Sequence, residues 1–393
     1  MQYKIHNTHQ TLYHIIVFQI KPHILLLTKL AKKKKPINDS DPTMANEEQK
    51  STPICTVDPY EYLQSKLNPD GTLTRYLDVP STPATPDPNS SSSVLTKDFT
   101  LNSTYNTYVR VFLPKIALSD PSKKLPIVVY YHGGGFVLLH VDSFYNHDIC
   151  CALASHASVI VVSVEYRLAP EHRLPAAYDD AMDAVKWVRA SVVNKEHSTS
   201  DPTDEWLSKY GDISNCFLMG TSAGGNIAYQ TALRASYLID DLNPLKFKGV
   251  ILHHPYFGGS ERTGSELRFI NDPYLPLSGN DLFWELSLPE GVSRDHEFCD
   301  PLSGLTGDGL SRIERIKEMD LRVLVTECSG DPLVDRISEF VKVLEDIGVN
   351  VKGHFTEGEY HGVDILDQKK CEELLVVLHD FINSCLNAEN VAC

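Results

Sequence analysis

A run of small residues around one serine, Gly220-Thr221-Ser222-Ala223-Gly224, constrains this chain more than any other stretch. A short apolar run, Phe217 to Met219, precedes it, and a helix-compatible run, Gly225-Asn226-Ile227-Ala228-Tyr229, follows it. In that setting Gly-X-Ser-X-Gly reads as a sharp strand-to-helix elbow. Small neighbours spare the backbone a clash, and the Ser222 hydroxyl projects from the tip. The amide of Ala223 opens the helix, where it can face a developing negative charge. Five residues with two glycines also recur by chance. Alone, the pattern leaves a reactive serine and a plain turn level.

The rest of the sequence supplies the architecture around the elbow. Ile127 to Tyr131 and Val159 to Val164 are short apolar runs that predict buried strands, and Val250 to His253, Arg322 to Thr326 and Val349 to Phe355 read as further strands. Tyr108 to Leu113 alternates like a further strand. Helical patterns lie between them: from about Pro175, after Ala223, from Leu333 to Gly348, and from Cys371 to Leu386. This alternation predicts an α/β fold with a mostly parallel sheet and helices on both faces. Tyr60 to Leu67 reads as a short helix, Asn68 to Gly71 as a turn, and residues 79–95 as a Pro- and Ser-rich loop. Residues 260–315 break the alternation and carry Phe283, Trp284 and Leu286 in an amphipathic stretch. We expect one domain over 44–393, with cap elements from about 50–80 and 260–315.

Residues 1–43 are of a different kind. The apolar stretch from His14 to Leu30 is broken by Gln19, Lys21, Pro22 and His23, which argues against a membrane span. Its basic run, Lys32 to Lys35, follows the apolar part, whereas a secretory signal carries its charge in front. Two readings stay open. Met44 is the physiological start, or the segment is an organellar presequence that lacks arginine. A net charge of −16 argues against a nucleic-acid partner. Nine cysteines without a CxxC pair suit reduced thiols in the cytoplasm, without stable membrane insertion. Neither HExxH nor another metal spacing occurs, so no metal is expected.

A second motif tips the balance at Ser222. His132-Gly133-Gly134-Gly135-Phe136 directly follows the Ile127 strand. Three glycines there let backbone amides approach a substrate, as in the oxyanion loop that accompanies a serine elbow. Gly134 and Gly135 are the expected donors together with Ala223, while Gly133 is expected to shape the turn. A phosphate cradle would require GxGxxG or GxxxxGK[ST], and neither is present. The acid and base should follow the serine in that order. Asp331 sits just after the Arg322 strand and His361 just after the Val349 strand. Asp335 competes as the acid, although one turn into a helix it reads better as a local hydrogen-bonder. His253, His254 and His354 read as structural histidines.

Together HGGGF, Tyr166-Arg167-Leu168-Ala169-Pro170-Glu171-His172, GTSAGGN, and the Asp331 and His361 loops resemble the plant carboxylesterases of the hormone-sensitive-lipase-like group. The resemblance runs from about Thr56 to about Leu386. It implies an α/β-hydrolase fold with an about eight-stranded sheet and a helical cap. It also implies hydrolysis of short-chain esters without a cofactor, and Arg167 paired with Glu171 under the site. A small-molecule ester is the implied partner, with the monomer or dimer state open. Gibberellin receptors of this group lack the histidine that His361 supplies here. The 2-hydroxyisoflavanone dehydratases keep the whole triad, so a lyase remains the alternative. Phe136, Leu139, Phe283 and Trp284 are candidates for the pocket lining or, equally, for packing. Thr221, where many relatives carry an acid, should affect loop hydrogen bonding only.

Overall fold

Strand formation follows the β-branched runs, and the strands sort into two sheets. The computed structural model describes residues 54–193, 205–303 and 308–387, so residues 1–43 and Met44 lie outside the described residues. A small antiparallel pair, β1 (Ser65–Leu67) and β2 (Leu73–Arg75), stands apart. The main sheet comprises β3 (Val94–Asn102), β4 (Thr107–Pro114), β5 (Leu125–Tyr131), β6 (Ile160–Glu165), β7 (Gly211–Thr221), β8 (Phe247–His253), β9 (Arg322–Cys328) and β10 (Val351–Thr356). Their spatial order is β10-β9-β8-β7-β5-β6-β4-β3. β4 runs antiparallel to both its neighbours. Every other pair is parallel.

A two-residue side-chain period divides the core between the two faces of the sheet. Ile127, Val129 and Tyr131 point to one side, and Val128 and Tyr130 to the other. Both sides are buried, which explains why the central strands read as unbroken apolar runs. The helices that serve the argument are α1 (Pro59–Tyr62), α2 (Phe144–Ala157), α3 (Ala176–Val193), α4 (Ala223–Ser236), α5 (Gly264–Arg268), α6 (Leu277–Ser287), α7 (Val334–Ile347) and α8 (Gln368–Asn387). α3, α4 and α7 cover the first face, with Val185, Ile227 and Phe340 in its core. α2 and α8 cover the second through Leu153, Leu378 and Phe381. Gly348 ends α7 in a left-handed conformation.

Several expectations need adjusting. The Tyr60 to Leu67 helix is only one turn long. Asp58 caps its start, Gln64 turns left-handed at φ 44°, and Ser65–Leu67 continues as β1. β3 begins at Val94, inside the expected loop, because that end of it pairs with Leu113 and Pro114 of β4. The Arg167–Glu171 pairing does not form. Arg167 instead binds Asp180 at 2.8 Å, while Glu171 binds Arg75 at 2.8 Å. Asp180 lies on α3 and Arg75 on β2, so the two charges face different elements. Among the described residues, no helix is long and apolar enough to cross a membrane.

Candidate active site

Five of the parallel strands end on one edge of the sheet, and the loops that leave them meet there. β5 delivers His132–Gly135, β7 delivers Ser222, β8 delivers His254, β9 delivers Asp331 and β10 delivers His361. Open parallel sheets bind their ligands at this edge.

Ser222 stands between β7 and α4 at φ 55° and ψ −119°, a conformation that L-residues avoid. The surroundings hold it there. Its amide donates to His253 O at 2.9 Å, and its carbonyl accepts from the Tyr256 amide at 2.9 Å. Gly220 is required by close approach, since a Cβ there would fall 1.9 Å from Gly224 O. Thr221 Oγ1 lies 3.1 Å from the Tyr130 hydroxyl, a loop hydrogen bond.

The Ser222 hydroxyl lies 2.9 Å from His361 Nε2, and His361 Nδ1 lies 2.6 Å from Asp331 Oδ2. Asp331 is fully buried, and its other oxygen accepts from the Leu333 amide at 2.9 Å. Burial alone would raise the Asp331 carboxyl, but His361 and His254 beside it outweigh that and hold it well below the usual range. Burial likewise pulls the His361 imidazole down. Asp331 more than offsets this, so His361 sits above its ordinary value.

The glycine loop lies alongside. Gly134 and Gly135 take φ 109° and 60°, whereas Gly133 has no positive φ and its Cβ position lies 3.3 Å from Ser222 Cβ. Among the described residues, the amides of Gly134 and Gly135 donate to no protein acceptor. As the first residue of α4, Ala223 has no acceptor within its helix for its own amide. Tyr166 OH donates to His132 O at 2.8 Å and stacks on the His132 ring, bracing the loop from beneath.

The four pocket candidates divide into two pairs. Phe136 and Trp284 are each 1 % exposed and pack against Tyr256, so the role visible for them is core packing. Phe283 lies over Gly135, with its ring 2.4 Å from where a Cβ would stand, and Leu139 borders Gly134. Both touch the glycine loop. Asp335 accepts from the Ser265 amide at 2.7 Å, which ties α7 to the 260–315 insertion and keeps Asp335 away from His361's partner position.

Sequence reasoning missed two groups. His254 Nδ1 lies 3.1 Å from Asp331 Oδ2 and 2.7 Å from Glu327 Oε1, so it is part of the site's charge network. The available signal was its position, immediately after β8 on the same sheet edge. His253 is satisfied structurally, by Thr326 Oγ1 at 2.6 Å and Asp364 at 3.0 Å. His254, Glu327, Cys328 and Asp331 bring potential metal-ligand atoms within 4.8 Å of one another. His254 Nδ1, however, stands between the two carboxylates where a cation would sit.

A serine elbow on an eight-stranded, mostly parallel sheet defines an α/β hydrolase. A family profile described as alpha/beta hydrolase fold matches residues 128–365, and a second, described as the carboxylesterase family, matches residues 83–171. Carboxylesterase 20 of Arabidopsis thaliana is 45 % identical over 86 % of this chain and 100 % of its own length. The 3-O-acetylpapaveroxine carboxylesterase CXE2 of Papaver somniferum is 46 % identical over 83 % of this chain and 99 % of its own. Among solved structures, the hyperthermophilic esterase of Pyrobaculum calidifontis superposes with a TM-score of 0.59 at 27 % identity, covering 75 % of this chain and 86 % of that one. The chain belongs to the plant carboxylesterases of the α/β-hydrolase fold and is a carboxylic-ester hydrolase.

Proposed function

We propose that the chain hydrolyses small esters with short acyl groups through an acyl-enzyme on Ser222. The observation that carries this reading is the unbroken hydrogen-bonded path from Ser222 Oγ through both nitrogens of His361 to Asp331. His361 takes the hydroxyl proton as Ser222 attacks the ester carbonyl, then returns it to the departing alcohol. Water repeats the sequence on the acyl-enzyme. Asp331 fixes the tautomer of His361 and stabilises its cation. The amides of Gly134, Gly135 and Ala223 receive the oxyanion, aided by the helix N-terminus at Ala223.

Two observations favour a short acyl group. Phe283 and Leu139 lie against the glycine loop beside the proposed oxyanion donors. The name of the Papaver relative specifies an acetyl ester. Residues 54–80 and 260–303 act in this reading as the cover of the site. They are tied together by Ser278 Oγ donating to Val57 O at 2.7 Å and by Thr56 N donating to Asn271 at 2.8 Å.

A p-nitrophenyl ester series from acetate to decanoate tests the reading. We expect kcat/KM to be greatest for acetate and butyrate and to fall with chain length. Folded protein that turns over none of them would refute it. Ligand binding without turnover would then favour a receptor, and elimination of water from a hydroxylated substrate would favour a lyase.

A further inference from the structure

The catalytic reading uses one imidazole on Asp331, yet the carboxylate carries two. Asp331 Oδ2 accepts from His361 Nδ1 at 2.6 Å and faces His254 Nδ1 at 3.1 Å. The His254 and His361 rings meet edge to face, with centroids 5.5 Å apart. His254 is held in turn by Glu327 Oε1 at 2.7 Å, and its backbone amide donates to Thr326 O at 2.9 Å. Glu327 Oε1 also accepts from the Cys328 amide at 2.8 Å, while Glu327 Oε2 is buried without a partner among the described residues. Neither carboxylate is exposed to solvent, and His254 is 4 % exposed. Two buried carboxylates beside one imidazole favour its cation, because an uncompensated pair of anions at that depth is costly.

We propose that His254 and Glu327 are a positioning pair for His361, acting through Asp331: the His254 cation, held by Glu327, shares Asp331 Oδ2 and weakens the pull of Asp331 on the His361 proton. The inference rests on the catalytic reading above and deepens it. Asp331 raises His361 above its ordinary value, and a charged His361 cannot accept the Ser222 proton. A second cation on the same oxygen opposes that charging, so His361 stays a competent base to lower pH. Burial and then Asp331 push the Glu327 carboxyl up to about 7, against the opposing pull of His254. Burial lowers His254, but Glu327 and Asp331 raise it well above the ordinary histidine value. Among the influences on His361, His254 acts downward and Glu327 upward.

The other groups facing this cluster are few. His253 contacts the His254 ring edge to face at 4.3 Å and is itself held by Asp364. The Cys328 thiol is pushed up by burial and by Glu327, so it stays neutral. Asp272, on the insertion, is raised by burial and then by Asp331.

The test is the pH dependence of the second-order rate constant for labelling Ser222 with a fluorophosphonate. That constant reports only folded, competent enzyme and does not depend on how much of a variant folds. His254→Gln should move the midpoint upward by about two pH units, the order expected for losing a charge at this range in an effective dielectric of about 20. Glu327→Gln, which removes the carboxylate that holds the His254 charge, should move it by less, because that carboxylate and the cation it supports act on His361 in opposite directions. Midpoints that stay at the wild-type value in both variants, whatever their stability, would overturn the pair's role while leaving the catalytic reading intact. A downward shift in His254→Gln would overturn it as well. A wild-type enzyme that is not labelled at Ser222 at any pH would overturn both.

Discussion

The ring of Tyr274 stacks on that of Tyr360, with centroids 3.8 Å apart and planes 7° from parallel. Tyr274 belongs to the 260–315 insertion, and Tyr360 immediately precedes His361. Tyr62 on α1 donates its hydroxyl to Tyr274 O at 2.5 Å, so three separate segments converge on the loop that carries the base. An aromatic pair of this kind is worth about 0.5–1.5 kcal/mol beyond its buried area. Tyr274→Ala should therefore lower kcat/KM for p-nitrophenyl acetate by about three- to tenfold. A folded variant with wild-type kcat/KM would show that the stack does not help to place His361.

The acid limb of the kcat/KM profile should have a midpoint above about 6.5, the ordinary histidine value. His361 must be neutral to accept the Ser222 proton, and its own value is raised by Asp331 against the effect of burial. Activity is thus full above that raised value and lost as pH falls through it. Initial rates from pH 5 to 9 at substrate concentrations far below KM measure the midpoint. One well below 6.5 would mean that the Asp331 pull is not felt at the base.

Gly135→Ala should lower kcat/KM by about 10²–10³, the usual loss for an oxyanion donor. The added Cβ meets the Phe283 ring at 2.4 Å, and the backbone at φ 60° strains any L-residue. Combining it with Phe283→Ala should restore only part of the loss, because the second substitution relieves the clash and not the backbone strain. Full recovery in the double variant would place the whole effect in packing.

Arg336→Met should destabilise the fold by about 3 kcal/mol or more, measured by urea unfolding. Arg336 binds Glu266 at 2.6 Å, and the Glu266 side chain is 1 % exposed. Without the guanidinium a buried carboxylate on α5 loses its counter-charge, although the Thr263 amide still donates to it in the capping box. A loss below about 1 kcal/mol would show that the insertion relaxes enough to hydrate Glu266.

What could be read from the sequence was whatever is tied to a strand end. Ser222 and the glycine loop directly follow apolar runs, and Asp331 and His361 lie a few residues beyond the strands at Arg322 and Val349, so finding the strands also located the residues that meet at their edge. Contacts set by side-chain reach were not legible. Arg167 and Glu171 are four residues apart in one loop, yet they turn to Asp180 on one side and Arg75 on the other. Glu327 looks like an ordinary strand residue until burial places it 2.7 Å from His254. β3 was hidden because Lys97 and Asp98 interrupt its apolar pattern on an edge strand that is only partly covered. The short helix after Asp58 failed to extend because tertiary pairing with β2 outweighed its helical propensity.

The central claim is that Ser222 carries the acyl group, and trapping that group tests it most directly. The enzyme is mixed with p-nitrophenyl acetate, quenched in acid within the first turnovers, digested and read by peptide mass spectrometry. We predict one acetyl group on the peptide containing Ser222, absent from Ser222→Ala, whose turnover should fall to background. An acetyl group on another residue, or substantial turnover surviving in Ser222→Ala, would contradict the account.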